Sequence, residues 1–312
     1  MKTVKVIEGK KRLLTHSTKK KIFYISMMVL PVIQFVLFYI CVNFNSILLA
    51  FETYDYDTGR YVFLGLDNFV KVWETLKSEA FLKYTLPNSF IPFMLSLFVT
   101  LPMGVIFAYY LNKKYPLSSF LQVVLYLPSI ISSVVMVTMY TQFAENTLPT
   151  IIYNLSGKVG DFPQGFISNS ETTREALIVY ALFFGFGAMT MIFTNSMSTI
   201  NPSIIEASHI DGCGHFAQFV YIVLPLCFNI IKLQLISIIL GIFTAQFNLY
   251  TFFGTEASPK LYTIGYYLYR QTLTGGLANY PYLAAFGLVI TAVATPIIFG
   301  FRKFADKIDP YT

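Results

Sequence analysis

Five polar residues lie in or beside one apolar segment in the second half of the chain, where such side chains act through hydrogen bonds. They are Asn229, Lys232, Gln246, Asn248 and Tyr250. Residues three or four apart share a helix face, so Asn229 would pair with Lys232 and Gln246 with Tyr250. Amides, a hydroxyl and an ammonium group inside a membrane either contact a passing polar solute or join neighbouring helices. The sequence is consistent with both roles, a substrate path and structural packing.

Lys232 is the charged residue inside this segment, which begins near Ile222. A helix rises 1.5 Å per residue, so Lys232 would lie about 15 Å from Ile222. A lysine at the centre of a membrane costs about 2.5–3.5 kcal/mol, and its side chain would therefore face protein or a water-filled cavity. If the helix instead begins deeper in the cytoplasm, the side chain reaches the inner membrane surface. The sequence supports the two positions equally.

No motif typical of an enzyme or of a nucleotide-binding protein occurs in the sequence. The phosphate-binding loop Gly-x-x-x-x-Gly-Lys-[Ser/Thr] is absent, and so are Gly-x-Ser-x-Gly, His-Glu-x-x-His and Cys-x-x-Cys. The three histidines lie outside the apolar segments, and the three cysteines lack the spacing of metal ligands. We therefore expect a protein that is not an enzyme and that carries neither a metal nor a cofactor.

The composition is that of an integral membrane protein, with 55% hydrophobic and 12% charged residues. A helix needs about 20 apolar residues to cross the hydrocarbon, and six stretches are long enough. They are continuously apolar and do not alternate, which favours helices over barrel strands and predicts an all-α protein. The six predicted spans are Ile22–Phe44, Phe90–Leu111, Phe120–Phe143, Ala176–Met197, Ile222–Phe243 and Leu283–Phe301.

The distribution of charge predicts the orientation of these spans. Residues 1–21 contain eight lysine or arginine residues and one acidic residue. Such a tail can bind nucleic acid, but beside an apolar segment it indicates a cytoplasmic terminus. Six spans then place Lys113 and Lys114 inside and the more acidic residues 45–89 outside. We expect both termini in the cytoplasm, membrane lipid around the spans and no nucleic-acid partner.

A short helix is predicted on the cytoplasmic side, between the fourth and fifth spans. Asn201 can cap its start, and Pro202 suits the first helical position. Ser203 with Glu206 three residues later is a competing capping pattern. Gly212 would end the helix and leave a bare backbone that another chain can approach closely.

The spacing of this element resembles the EAA signature of permease subunits of binding-protein-dependent ABC importers. Glu206–Ser208 is followed after three residues by Gly212, and after nine more by Ile222–Pro225. Asp211 before Gly212 is similar to the Asp-Gly that is usual in this family. The departure is Ser208, where the family has a second alanine.

Other stretches are similar to carbohydrate-uptake members of this family, in particular to the maltose-type first-permease subgroup. Lys20–Tyr39 resembles their lysine-rich, proline-containing first span. Gly65–Phe69 and the Asn88-Ser89 pair resemble landmarks before their second span. The segment Phe243–Tyr250 departs from the usual Phe-Asp, and the tryptophans of their third and fourth spans are missing. These departures bear on which substrate is carried and not on the class of transporter.

The resemblance implies a type I importer (MetI-like) core of five spans with an extra helix before it. It divides the chain into a basic cytoplasmic tail, 1–21, and a first transmembrane helix with an extracytoplasmic segment, 22–89. The permease core follows in 90–304, with a coupling helix at 201–217, and residues 305–312 form a cytoplasmic C-terminus.

The resemblance also implies a function and partners. The chain would lie in the bacterial cytoplasmic membrane and form the path for a sugar or oligosaccharide. Its partners would be two ATPase subunits, a second and different permease subunit, and an extracytoplasmic solute-binding protein. Two alternatives stay open: a permease for an amino acid, peptide or phosphate, and an ion-coupled secondary transporter. The second alternative would need buried acidic residues, which the spans essentially lack.

The short cytoplasmic helix would insert into a groove on an ATPase subunit and transmit its movement to the spans. Glu206 would meet a basic group, while Ala207, Ile210 and Cys213 would make small apolar contacts. The expected ATPase-docking residues are Glu206, Ala207, Ser208, Ile210, Asp211, Gly212 and Cys213.

Overall fold

The computed structural model describes residues 16–157 and 163–308 of the 312-residue chain. The first helix, α1, is continuous and consists of His16–Gln34, the π-helical segment Phe35–Cys41 and Val42–Leu49. The apolar part of α1 has no buried residues, so this helix contributes little to the packing of the others. Most of the basic tail expected at 1–21 lies outside the described residues, and its last part belongs to α1.

The segment after α1 folds locally on the extracytoplasmic side. Strands β1 (Glu52–Asp55) and β2 (Arg60–Phe63) form an antiparallel hairpin in which Glu52 faces Phe63 and Asp55 faces Arg60. Helix α2 (Asp67–Lys77) follows. Nδ2 of Asn68, inside the Gly65–Phe69 landmark, donates to the carbonyl oxygens of Ala50 at 3.0 Å and Glu52 at 2.7 Å. This amide ties α2 to the end of α1.

The rest of the chain is helical apart from short connections and a 3₁₀ turn at Pro259–Leu261. The further helices are α3 (Phe81–Asn112), α4 (Ser118–Ile130), α5 (Ser133–Leu155), α6 (Thr173–Ser198), α7 (Pro202–Ile210), α8 (His215–Leu226), α9 (Phe228–Thr244), α10 (Leu249–Phe253), α11 (Ile264–Thr274) and α12 (Gly276–Ile308).

Four helices in the described residues, α1, α3, α6 and α12, are long and apolar enough to cross a membrane. Two bent pairs, α4 with α5 and α8 with α9, raise the number to six if each pair is one span. The six predicted spans fall on these six units. Both the apolar length and the order of the spans therefore follow from the sequence.

The third span is interrupted within the predicted range Phe120–Phe143. Helix α4 ends at Ile130, and α5 begins at Ser133 with its axis turned by 103°. Pro128 lies in the last turn of α4, where it lacks an N–H and its ring crowds the preceding turn. The backbone then becomes extended at Ile131 and Ser132, which ends the helix.

The fifth span also differs from the predicted range Ile222–Phe243. Its first helix, α8, begins at His215, and the axis bends by 70° at Cys227 before α9. Pro225 weakens the helix just before this bend. The start of α9 at Phe228 brings Lys232 to the second turn of that helix.

Buried apolar residues form four clusters in the described part of the chain, and two of them lie at opposite ends of the spans. The extracytoplasmic cluster joins α2, α3, α11 and α12 through Val72, Phe81, Ile264, Ala285 and Phe286. The cytoplasmic cluster joins α3, α6 and the bend between α8 and α9 through Val105, Ala108, Phe193, Met197, Val223 and Cys227.

Candidate translocation cavity and docking helix

A cavity of about 670 Å³ opens between α3, the break between α4 and α5, α6 and the segment that follows α9. Its lining is polar but uncharged and includes aromatic rings such as Phe184 and Phe247. The lining hydroxyl and amide groups belong to Ser96, Thr100, Ser129, Ser133, Tyr180, Gln246, Asn248 and Thr251. We call this space the polar cavity.

Two interruptions of helical backbone line the polar cavity. One is the break at Ile131, and the other is the segment 245–248. Phe247 and Asn248 both adopt the left-handed conformation, with φ of 52° and 56°. Non-helical backbone at membrane depth is tolerated where it is buried in protein or lines an aqueous space, because its N–H and C=O groups need partners. The position of both breaks is that expected of a route for polar solutes.

The structure separates the five polar residues of the predicted substrate path. Gln246 and Asn248 line the polar cavity, whereas Asn229, Lys232 and Tyr250 do not. Asn229 is exposed in the first turn of α9. Tyr250 packs edge-on against the ring of Tyr269, with the two centroids 4.9 Å apart.

Lys232 lies at the cytoplasmic ends of two helices. Its Nζ is 2.7 Å from Oδ1 of Asp306, near the end of α12, and its side chain is 16% exposed. Arg302 lies on the other side of Asp306, with its Nε 3.9 Å from Oδ2. The side chain of Lys232 therefore faces protein, at the end of α12.

The short cytoplasmic helix α7 has well-defined ends. Asn201 caps its start, since Oδ1 accepts a hydrogen bond from the N–H of Ser203 at 3.1 Å. At its end Gly212 has φ of 75° and donates to the carbonyl of His209, while Cys213 donates to that of Ser208. These two bonds form a Schellman motif, which requires the left-handed glycine.

Helix α7 is shorter than the coupling helix expected at 201–217. It stops at Ile210, and the Schellman turn then leads into α8 at His215. The predicted element is therefore a helix, a glycine turn and the start of the next helix. Gly212 accounts for this difference because its left-handed conformation ends the helical hydrogen bonding.

The expected docking residues do not all face solvent. Five are exposed and Cys213 is half-buried, but Ser208 is buried, with 5% of its surface accessible. Ile210 is 87% exposed, although isoleucine is apolar. The five exposed residues are Glu206, Ala207, Ile210, Asp211 and Gly212. We call these five the docking face.

Ser208 contacts a residue that was not among the candidates. The Nε2 of Gln218, in α8, donates to the Oγ of Ser208 at 2.5 Å and to the carbonyl of Ile205 at 3.4 Å. Gln218 is fully buried. The sequence indicated this contact only weakly. Gln218 lies at the start of an apolar segment, and it reaches Ser208 only because the chain turns at Gly212.

A second cavity, of about 510 Å³, separates α7 from the cytoplasmic end of α3. Lys113, Lys114 and Glu206 contribute to its wall, so cations and an anion face the same space. Burial lowers the pKa of Lys113, whose Nζ lies 5.7 Å from the ring centroid of Tyr109. This cavity keeps one side of α7 away from the spans.

Comparison with known proteins identifies the family. The family described as "Binding-protein-dependent transport system inner membrane component" matches residues 100–310, which include most of the polar-cavity lining, α7 and all of α8 to α12. The chain belongs to this family. It is a membrane-embedded translocation subunit and not an enzyme, as the sequence predicted.

Individual relatives of this permease match most of the chain or nearly all of it. It is 25% identical over 311 residues to the polygalacturonan/rhamnogalacturonan transport system permease protein YteP of Bacillus subtilis, covering 96% of this chain and 94% of YteP. It is also 25% identical to the lactose transport system permease protein LacF of Rhizobium radiobacter, covering 78% and 82%.

The fold of the permease is also found in a solved structure. A subunit in the crystal structure of a bacterial ABC transporter involved in the import of the acidic polysaccharide alginate superposes with a TM-score of 0.72. The two chains are 23% identical, and the match covers 93% of this chain and 97% of the other. The predicted type I importer (MetI-like) core is thereby confirmed.

The two landmark residues before the second span have structural roles in this permease. Nδ2 of Asn88 donates to the carbonyl oxygens of Lys260 at 2.7 Å and Tyr262 at 3.2 Å. The Oγ of Ser89 accepts from the N–H of Ile264 at 2.8 Å. The pair thus fixes the loop before α11 to the extracytoplasmic end of α3.

Proposed function

We propose that this permease forms half of the translocation path of an ATP-driven importer for a neutral oligosaccharide. The polar cavity is the observation that supports this function. Its volume lies within the range of about 300–1,000 Å³ that is typical of small-molecule sites. A second permease subunit, different from this one, would supply the other half of the path.

The chemistry of the polar cavity suits an uncharged sugar. Hydroxyl and amide groups exchange hydrogen bonds with sugar hydroxyls, and aromatic rings such as Phe184 and Phe247 can lie against the apolar face of a sugar ring. None of its lining residues, all in the described part of the chain, is charged. The names of the relatives YteP and LacF also refer to carbohydrate transport.

The proposed importer contains further chains. An extracytoplasmic solute-binding protein delivers the sugar, and two ATPase subunits lie on the cytoplasmic side. The docking face supports an ATPase contact, because it exposes the apolar side chain of Ile210 and the bare backbone of Gly212 on a short, capped helix. Glu206 adds a carboxylate that can meet a basic group.

The first prediction concerns the polar cavity. Replacing Gln246→Leu removes an amide from the lining and puts an apolar side chain of similar bulk in its place. We expect sugar uptake to fall about tenfold, the equivalent of one hydrogen bond of about 1.4 kcal/mol. Uptake is measured in proteoliposomes that contain the complete importer. The same change at Gln234, which lies in α9 outside the cavity lining, is the matched control and should leave uptake unchanged.

The substrate class is tested in the same vesicles. A neutral maltodextrin, an oligogalacturonate and glutamine are each supplied with the binding protein present, and we expect transport of the neutral sugar. Uptake of glutamine alone would favour an importer for amino acids. Uptake of the uronate in preference to the neutral sugar would contradict the assignment of a neutral cargo.

The second prediction concerns the docking face. Gly212→Val places a β-branched residue at φ of 75°, where L residues are disfavoured by about 1–2 kcal/mol. The end of α7 should unwind, and we expect at least a tenfold loss of ATPase affinity in pull-down experiments. Gly214→Val is the control, since Gly214 has φ of −68° and nothing lies within 4 Å of the position that an added Cβ would take. Equal binding by both variants would exclude α7 as the docking element.

A further inference from the structure

Gln218 connects three helices at the cytoplasmic end of the permease. Its amide nitrogen donates to Ser208 and to the carbonyl of Ile205, both in α7. Its amide oxygen lies 3.4 Å from the hydroxyl of Tyr109, near the end of α3. The same hydroxyl donates to the carbonyl of His215 in α8 at 2.9 Å. We call Tyr109, Ser208 and Gln218 the amide link.

The amide link is the main polar attachment of α7. Within the described residues, the side-chain hydrogen bonds that join α7 to another helix both come from Gln218. The other attachment is apolar, through Ile205, which packs against the cytoplasmic cluster. Apolar contacts hold a helix near a surface but permit rotation and sliding, whereas hydrogen bonds fix direction.

The amide link is also chemically complete. Ser208 donates its own proton to the carbonyl of Ile205 at 2.7 Å, which leaves its oxygen free to accept from Gln218. Ser208 and Gln218 are 5% and 0% exposed, so solvent does not replace these bonds if one partner is removed. Serine at this position, where the EAA signature has alanine, supplies the acceptor.

We propose that Gln218 is a positioning residue that fixes the orientation of α7 relative to α3 and α8, so that movement of an ATPase reaches the spans without slippage. The proposal rests on the proposed function, because it needs an ATPase on the docking face. Without the amide link, α7 still binds the ATPase through its exposed face but turns independently of the spans. ATP hydrolysis then continues while transport falls.

The test measures ATP hydrolysed per oligosaccharide imported by the complete importer in proteoliposomes. Gln218→Leu keeps the apolar bulk and removes the amide, and we expect this ratio to rise about tenfold while the complex still assembles. Ser208→Ala and Tyr109→Phe each remove one hydroxyl and should raise it by about threefold. These two smaller changes decide the question if the Gln218→Leu chain does not fold.

Asn68→Leu is the matched control, since Asn68 is a buried, hydrogen-bonded amide at the opposite side of the membrane. It should lower thermal stability and leave the ratio unchanged. A wild-type ratio in all three amide-link variants would overturn the proposal, and so would an equal rise in Asn68→Leu. Absence of oligosaccharide uptake by the wild-type importer would instead overturn the proposed function.

Discussion

The two sides of the permease hold their connecting segments in different ways. On the extracytoplasmic side, Asn68 and Asn88 each donate two hydrogen bonds to backbone carbonyls, 16 and 18 residues away for Asn68 and 172 and 174 residues away for Asn88. On the cytoplasmic side, α7 is attached by the amide link and by Ile205, and a cavity separates part of it from α3. We interpret the outer side as a fixed frame and the inner side as a helix held by fewer polar contacts.

Among the tests of this difference between the two sides, the largest effect on stability is expected from a substitution of Asn88. Asn88→Leu leaves the carbonyl groups of Lys260 and Tyr262 without their donor, and we expect the free energy of unfolding to fall by about 1–3 kcal/mol. Denaturation of the purified permease in detergent measures it. Asn154→Leu, at an exposed position, is the control and should change stability by no more than about 0.5 kcal/mol. An equal loss of stability in the Asn88 and Asn154 variants would contradict a fixed outer frame.

An intermediate effect is expected from a substitution of Ile210 on the inner side. It should change the affinity for the ATPase subunits and not the stability of the permease. Ile210→Ser removes an apolar side chain that is 87% exposed, so stability should stay within about 0.5 kcal/mol of the wild type. Affinity for the ATPase subunits should fall about tenfold, because burial of an isoleucine side chain contributes about 1.5–3 kcal/mol.

Leu155→Ser, at an exposed apolar position at the last residue of α5, is the matched control for binding. Titration of the detergent-solubilised permease with ATPase subunits compares the two variants. Loss of affinity in both, or in neither, would contradict the assignment of Ile210 to the contact.

The smallest effect is expected on the pKa of a carboxyl group, that of Asp55 in the extracytoplasmic hairpin. Hydrogen bonds from the Thr58 hydroxyl and the Asp57 N–H hold the pKa of Asp55 below its usual value of 3.8. Because the folded pKa is the lower one, the stabilisation is present above pH 3.8 and is lost as the pH falls through the folded pKa. Thr58→Ala should raise the pKa of Asp55, and Thr58→Ser should preserve it. NMR titration of labelled aspartate carboxyl carbons distinguishes the two.

The sequence was sufficient for the position and order of the apolar segments, because these depend on apolar length. The orientation of the spans stays a prediction from the distribution of charge. The sequence did not reveal the bends after Ile130 and at Cys227, since apolar residues continue through both. Pro128 and Pro225 were the local signals, yet a proline within a span also occurs in helices that stay continuous. The cavity that forms at the first bend therefore became visible in the fold alone.

The same limit applies to the candidate sites. The fixed spacing from Glu206 to Pro225 identified α7, whereas Gln218 was missed because its partner Ser208 becomes adjacent through the turn at Gly212. Lys232 had two equivalent positions in the sequence, and local spacing gave no sign of its ion pair with Asp306, 74 residues away. Local sequence patterns therefore did not predict the interactions between residues that are distant in sequence.

The bend at Cys227 has a mechanical consequence. Helix α8 continues from the turn that ends α7, and its axis meets that of α9 at 70°. A displacement along α8 is therefore directed mostly across α9 and little along it. The far end of α9 leads into residues 245–248, which form part of the cavity wall. A short push from the cytoplasm would thus become a sideways swing of the wall that surrounds the cargo.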